Sequence, residues 1–117
     1  SYYMPLLAIS TNISLDNKAA QALCLKASSH VASLLGKPES YVMVSLQSSM
    51  IMSFAGDAAA CASVQLKSLG LPGQQTTEFS ESLCDFLHQQ AGIPTERIYI
   101  EFSDPERHMW GWDKRTF

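Results

Sequence analysis

The sequence predicts an α/β (α+β) fold: a two-layer β-α-β-β-α-β sandwich with a pseudo-twofold internal repeat. Three observations carry this. Short apolar runs alternate with longer stretches in which apolar residues recur every three or four positions. Both helical stretches stop at a Gly-x-Pro sequence, Gly36-Lys37-Pro38 and Gly92-Ile93-Pro94. Finally, 36–44 aligns without gaps on 92–100, and each copy passes from a helix stop into an alternating strand. Right-handed crossovers then place both helices on one face of a four-stranded sheet. The other sheet face is expected to be apolar and to be buried by oligomerisation.

Taken in order, Pro5 to Asn12 is a short apolar run ended by turn formers, hence a strand. Ser14 is a credible N-cap for the first helix, with Asp16 placing negative charge in its first turn. Ala19, Leu23, Ala27, Val31 and Leu34 form its apolar stripe, and Tyr41 to Leu46 returns to strand. A short extra strand is expected around Ile51 to Phe54. Ala62 to Leu69 reads as the next strand and 70–73 as a loop. Phe79, Leu83, Phe86, Leu87 and Ala91 mark the second helix, and Arg97 to Phe102 the last strand. The tail from Met109 to Phe117 is too short to assign by itself.

A chain of 117 residues fits one domain. Ser1 to Tyr3 read as an expression remnant and Met4 as the natural initiator, leaving 5–117 as a single domain. Charged residues make up 16%, below the roughly 25% of an average soluble domain, which suggests surface buried against other subunits. The net charge of −3 supplies no basic footprint, so nucleic acid and anionic membrane are poor partners. No apolar run reaches the length of a membrane span and no signal peptide opens the sequence. The expected location is the cytoplasm, or outside the cell by a route that needs no signal peptide.

Cys24, Cys61 and Cys84 are odd in number with no close pair, which argues against a disulfide framework and against zinc. They are expected to be free, buried thiols. His30 and His88 fall on helices and His108 in a loop, without ligand spacing. There is no nucleophile elbow either, so neither a metal site nor a catalytic triad is expected.

Several short motifs in a fixed order resemble the macrophage migration inhibitory factor and D-dopachrome tautomerase family, from Pro5 to Phe117. They are Met4-Pro5, Thr11-Asn12, Leu35-Gly36-Lys37-Pro38, Met52-Ser53-Phe54-Ala55-Gly56, Lys67-Ser68-Leu69-Gly70, Arg97-Ile98-Tyr99-Ile100, and Gly111-Trp112 with Thr116-Phe117. The resemblance implies a homotrimer with three active sites at subunit interfaces and no cofactor. It implies keto–enol tautomerisation of a small aromatic keto acid by the amine of an N-terminal proline, here Pro5. Lys37 would hold the substrate carboxylate, and Leu69 would supply backbone and an apolar wall. Tyr99 and Glu101 would come from the neighbouring subunit, while Leu6, Trp110, Trp112 and Phe117 would line the mouth or wall. Two rival readings stand beside it: a signalling or cytokine-mimic protein that binds a protein receptor and keeps the pocket as a relic, and a plain trimeric interaction scaffold.

These residue types suit the chemistry. A base must remove a proton beside the carbonyl and an acid must return it elsewhere, and one amine can do both. Free α-amines titrate near ~7.7–8.0, and an apolar pocket disfavours the ammonium form. A residue left attached ahead of Pro5 turns its nitrogen into an amide, so an extended form is expected to be inactive or severely impaired. Each residue also has a plainer reading: Pro5 as a strand entry, Lys37 as a solvated charge at a helix end, Tyr99 and the tryptophans as packing. Ile93 stands where the repeat places Lys37, so the fold itself does not demand lysine there. Two departures stand out. Glu101 replaces the asparagine of mammalian relatives, and Val64 replaces the second cysteine of the Cys-x-x-Cys that begins at Cys61 in some of them.

Overall fold

The computed structural model describes residues 4–117; Ser1 to Tyr3, read above as a remnant, lie outside the described residues. The main elements are β1 (Leu6–Thr11), α1 (Asn17–Leu35), β2 (Met43–Gln47), β3 (Ala62–Lys67), α2 (Thr76–Ala91) and β4 (Ile98–Ser103). They build a mixed sheet in the order β2-β1-β3-β4. β2 runs parallel to β1, β4 runs parallel to β3, and the two halves meet where β1 and β3 pair antiparallel. This is the expected arrangement of two β-α-β units.

The repeat extends to backbone angles. α1 ends at Gly36 (φ 63°) and α2 at Gly92 (φ 70°), both in the left-handed region that glycine enters without a Cβ penalty. Pro38 (φ −60°, ψ 135°) and Pro94 (φ −59°, ψ 134°) then stop each helix in the same way. One turn of 3₁₀ helix follows in each half, Glu39–Tyr41 and Thr95–Arg97, so β2 and β4 start one or two residues later than the sequence suggested. At the other end of α1 the N-cap is Asp16, whose Oδ1 accepts from the Ala19 amide at 2.7 Å. Ser14, expected in that role, lies too early and instead meets the Ser49 hydroxyl at 3.4 Å.

Alternation along the strands sends Leu7, Ile9, Val64 and Leu66 toward the helices. There they meet Leu23, Ala27 and Val31 of α1, and Phe79, Leu83, Phe86 and Leu87 of α2. Ala19 is exposed and lies outside this core, whereas Leu15, just ahead of the helix, packs against it. The opposite sheet face corrects the expectation of an apolar surface. Leu6, Ala8, Met43 and Tyr99 share it with Ser10, Ser45, Gln47, Ser63, Gln65, Lys67 and Glu101. Serine and glutamine take the alternate positions, so the face is mostly polar.

Large apolar exposure sits instead at the edges, with Ile51 fully exposed and Met43 at 66%. The strand expected around Ile51 to Phe54 does not form: among the described residues Ile51 to Ser53 have no strand partner. Its end is a tight turn: Phe54 and Asp57 exchange backbone hydrogen bonds (3.0 and 3.1 Å) around Ala55 and Gly56, both at positive φ. Arg97 clamps the following loop through the Ala60 and Ala59 carbonyls and a 2.9 Å ion pair with Asp57. Asn12 holds it from the other side, accepting from the Cys61 amide and donating to Ala58 and Ala59. The unassigned tail forms a hairpin, β5 (Gly111–Trp112) and β6 (Arg115–Thr116), turning at Asp113-Lys114 with φ 48° and 70°.

Leu66 is completely buried and Leu25, on the outer face of α1, is 62% exposed. Leu66→Ala is therefore expected to cost about 2–5 kcal/mol in urea unfolding, and Leu25→Ala no more than about 0.5 kcal/mol.

His30, in the seam between the helices, is hydrogen-bonded to Ser82 Oγ at 2.8 Å and packs on Phe86. Burial lowers its pKa, partly opposed by an interaction with the Ser82 backbone. A folded-state pKa below the unfolded value makes His30 stabilising above about pH 6.5, with that contribution lost as acid charges the ring. Stability of the native protein should accordingly fall more steeply from pH 7 to pH 5 than that of His30→Gln.

Candidate active site

Pro5 enters β1 fully buried, and its carbonyl accepts from the Met43 amide at 2.9 Å. This bond continues the parallel β1–β2 ladder by one step and fixes the ring against the start of β2. Beside it opens a cavity of about 360 Å³ lined by Met4, Pro5, Leu6, Ser40, Tyr41, Val42, Met43, Trp110, Gly111 and Trp112. The walls are apolar and aromatic, and none of the lining residues is acidic.

A second, smaller cavity of about 180 Å³ is lined by Leu35, Lys37, Ser68, Leu69, Gly70, Leu71 and Pro72. One step beyond the Leu6–Lys67 pair, Pro5 comes level with Ser68, next to the buried Leu69. The Leu69 to Leu71 turn is pinned by the Gly70 amide on Asp104 Oδ1 (2.9 Å) and the Leu71 amide on the Ser68 carbonyl (3.2 Å). Lys37 reaches this cavity because it directly follows the left-handed Gly36. The Pro5 end of the sheet thus offers an apolar, aromatic cavity on one side and a lysine on the other.

Of the residues singled out from sequence, Pro5, Leu6, Trp110 and Trp112 meet in the larger cavity, and Lys37 and Leu69 in the smaller. Phe117 does not line either cavity; it stacks on Trp112 at 6.4 Å, nearly parallel, and so backs the wall. Tyr99 and Glu101 lie elsewhere. Tyr99 pairs with Ser63, two strands across and four residues along from the Leu6–Lys67 pair. That separation is roughly 16 Å from the Pro5 end, and about 12 Å for Glu101. Tyr99 is 71% exposed, its ring edge-on to Phe54 at 5.1 Å, and Glu101 accepts from Gln65 Nε2 at 3.1 Å.

Sequence reading missed Tyr41, Val42 and Met43 as cavity walls. A signal was present: in a parallel β1–β2 pair the residues that open β2 lie alongside those that open β1. Cys61 is buried, and Val64, in place of a second cysteine, belongs to the core. Cys24 and Cys84 are free but only half-buried, which corrects the expectation of buried thiols. Among the described residues there is no group of three or more His, Cys, Asp or Glu that could hold a metal ion, and no helix long and apolar enough to cross a membrane.

The fold and cavity define a small α/β protein of two β-α-β repeats whose pocket opens at the start of its first strand. The family model described as macrophage migration inhibitory factor (MIF) matches residues 4–117. Similar curated proteins include the macrophage migration inhibitory factor homolog of Brugia malayi, 39% identical over 97% of this chain and 99% of its own length. The Xenopus tropicalis macrophage migration inhibitory factor is 33% identical over the same shares. The crystal structure of the Prochlorococcus marinus homologue superposes with a TM-score of 0.89 at 42% identity, covering 96% of this chain and 98% of that one. The structure of the macrophage migration inhibitory factor from Trichinella spiralis gives a TM-score of 0.88 at 30% identity, over 96% of this chain and 99% of that one. The chain belongs to the macrophage migration inhibitory factor family and has its fold.

Burial raises the thiol pKa of Cys24; burial raises that of Cys84 too, with a lowering Ser80 hydrogen bond and a raising Asp85 charge as smaller effects. Neither thiol is activated. Labelling with a disulfide reagent at pH 7.5 should modify Cys24 and Cys84 more slowly than free cysteine, and Cys61 only after unfolding.

Proposed function

We propose that the protein is a cofactor-free keto–enol tautomerase of aromatic α-keto acids, working through the secondary amine of Pro5 once the residues ahead of it are removed. The observation that carries this reading is the placement of Pro5, buried between an apolar aromatic cavity and Lys37. The conformation of Met4 supports it. Met4 takes φ 41° directly before a proline, where an extended conformation is preferred, a strain of order 1–3 kcal/mol. Met4 also occupies part of the cavity wall, so its removal would uncover the ring nitrogen inside the pocket.

In the proposed reaction Lys37 pairs with the substrate carboxylate and the ring lies among Tyr41, Trp110 and Trp112. The neutral Pro5 nitrogen takes a proton from the carbon next to the carbonyl. The electron pair shifts to make the enol, and the resulting ammonium gives its proton to the carbonyl oxygen. Nothing is oxidised or reduced, and no metal ion is needed for the balance. Tyr99 and Glu101 reach such a site only from a second copy. A homotrimer in which each subunit lends them to its neighbour would also cover Ile51, Met43 and Met50, which a lone chain leaves exposed.

The test uses protein beginning at Pro5 and follows phenylpyruvate enolisation. Pro5→Gly should lower kcat/KM by about 10²-fold or more, the usual contribution of a positioned acid–base group. Lys37→Ala should act mainly on KM, about tenfold or more, as expected for a lost charge-assisted hydrogen bond. Equal turnover by the form still carrying residues 1–4 would sink the proline mechanism.

A further inference from the structure

Tyr99 and Glu101 are the residues that the homotrimer proposed above lends to a neighbour's cavity. Tyr99 projects from the second position of β4 with 71% of its surface exposed. Among the described residues its ring has one aromatic partner, Phe54, met edge-on at 5.1 Å and 68°. The repeat supplies a contrast. Tyr99 stands where the first half has Met43, and Arg97 where it has Tyr41. Met43 and Tyr41 both wall the cavity of their own chain, whereas Arg97 binds the loop that leads into β3 and Tyr99 is left facing outward.

Phe54 lies outside the regular elements, at the mouth of the Phe54–Asp57 turn, where a ring would be a loose support unless the turn itself were held. Arg97 holds it. The guanidinium lies 5.2 Å from the centre of the Phe54 ring, within cation–π range. The same side chain is only 12% exposed and pairs with Asp57 Oδ1 at 2.9 Å. It donates from Nε to the Ala60 carbonyl (2.9 Å), and from Nη2 to the Ala59 (3.0 Å) and Asp57 (3.4 Å) carbonyls. A planar, permanently charged fork with this many partners keeps one geometry. Asp57, Arg97, Phe54 and Tyr99 thus form a continuous chain of contacts that runs from an ion pair to an exposed ring.

We infer that Phe54, held by the Arg97–Asp57 pair, is a positioning residue for Tyr99: it fixes the ring that Tyr99 offers to a neighbour's Pro5 cavity, and thereby the affinity for aromatic keto acids. This rests on the tautomerase and homotrimer readings above and deepens them. A tyrosine on an open sheet face has more than one staggered side-chain position open to it. A ring that is already held loses little freedom when substrate settles against it, so the ordering cost falls on folding rather than on binding. Phe54 lines neither cavity of its own chain, and the transferred proton stays with Pro5. The effect therefore belongs in KM and not in kcat.

The experiment uses protein beginning at Pro5 and places Phe54→Leu and Phe54→Tyr in the parent and in a Tyr99→Ala background. Phe54→Leu should raise KM for phenylpyruvate by about two- to tenfold, the range for ordering one flexible side chain on binding, with kcat held. Phe54→Tyr keeps the ring and should restore the parent KM. In the Tyr99→Ala background Phe54→Leu should change nothing further, because the residue it positions is gone. Without substrate, the Tyr99 ring protons should lose the ring-current shift from Phe54 in Phe54→Leu and keep it in Phe54→Tyr. Should Phe54→Leu not assemble, Arg97→Gln leaves both rings in place and takes over the same comparison, with a KM rise that again requires Tyr99. An unchanged KM in an active parent overturns the inference, as does an equal rise in both backgrounds or a Tyr99→Ala protein whose KM matches the parent's. If the parent does not enolise phenylpyruvate at all, the tautomerase reading fails by itself, and the Tyr99 signals still decide whether Phe54 fixes the ring.

Discussion

The antiparallel pairing of β1 with β3 is the contact on which the rest of the molecule depends. Leu7 stands opposite Leu66, Ile9 opposite Val64, and Thr11 opposite Ala62, all buried. Thr11 would be an expensive polar group there, but its hydroxyl donates to the Cys61 carbonyl at 2.7 Å and so satisfies itself at the seam. The pairing turns two β-α-β units into one sheet with both helices on one side. It also decides where Pro5 lies. Because the strands run in opposite directions, the start of β1 meets the end of β3, and Pro5 comes to rest beside Ser68 and Leu69.

The symmetry of the backbone throws the asymmetry of its use into relief. Lys37 and Ile93 occupy matching places after the two left-handed glycines, yet Ile93 is 1% exposed in the core while Lys37 lines a cavity. Tyr41 and Arg97 also match. Tyr41 walls the Pro5 cavity, and Arg97 binds the loop that leads into β3. At these two matched positions the first copy faces a cavity, whereas the second serves packing and loop anchoring. Identical local geometry with divergent side chains is what a functional demand on one copy alone would leave.

Most of the fold was legible in the sequence because it rests on local signals. The Gly-x-Pro stops, the apolar stripes around Leu23, Ala27 and Val31, and the strand alternation at Leu7 and Ile9 each act within a few residues. What was not legible depends on distant partners. The segment Ile51 to Ser53 has strand-forming residues, but a strand needs a neighbour, and among the described residues there is none. The N-cap fell to Asp16 rather than Ser14 because the first turn begins two residues later, a choice local propensity leaves open. For the site, Pro5, Lys37, Leu69 and Trp110 came from the resemblance, whereas Tyr41 and Met43 follow only from the β1–β2 register.

Glu101 shows how a departure from the family can be absorbed by the chain's own structure. In the proposed tautomerase, a carboxylate offered to the site would repel an anionic keto acid unless its charge were met. Protonation, or a turn toward Lys37, would meet it. The sheet supplies a third way: Gln65, directly across from Glu101 in the β3–β4 register, donates its amide at 3.1 Å on the open face. The acid is thereby partnered on its own sheet face. Lys67, two residues further along the same face of β3, is left to the Trp110 ring instead of to an acid. On one strand face, then, a neutral amide takes the negative charge and an indole takes the positive one, so that neither charge neutralises the other beside the cavity.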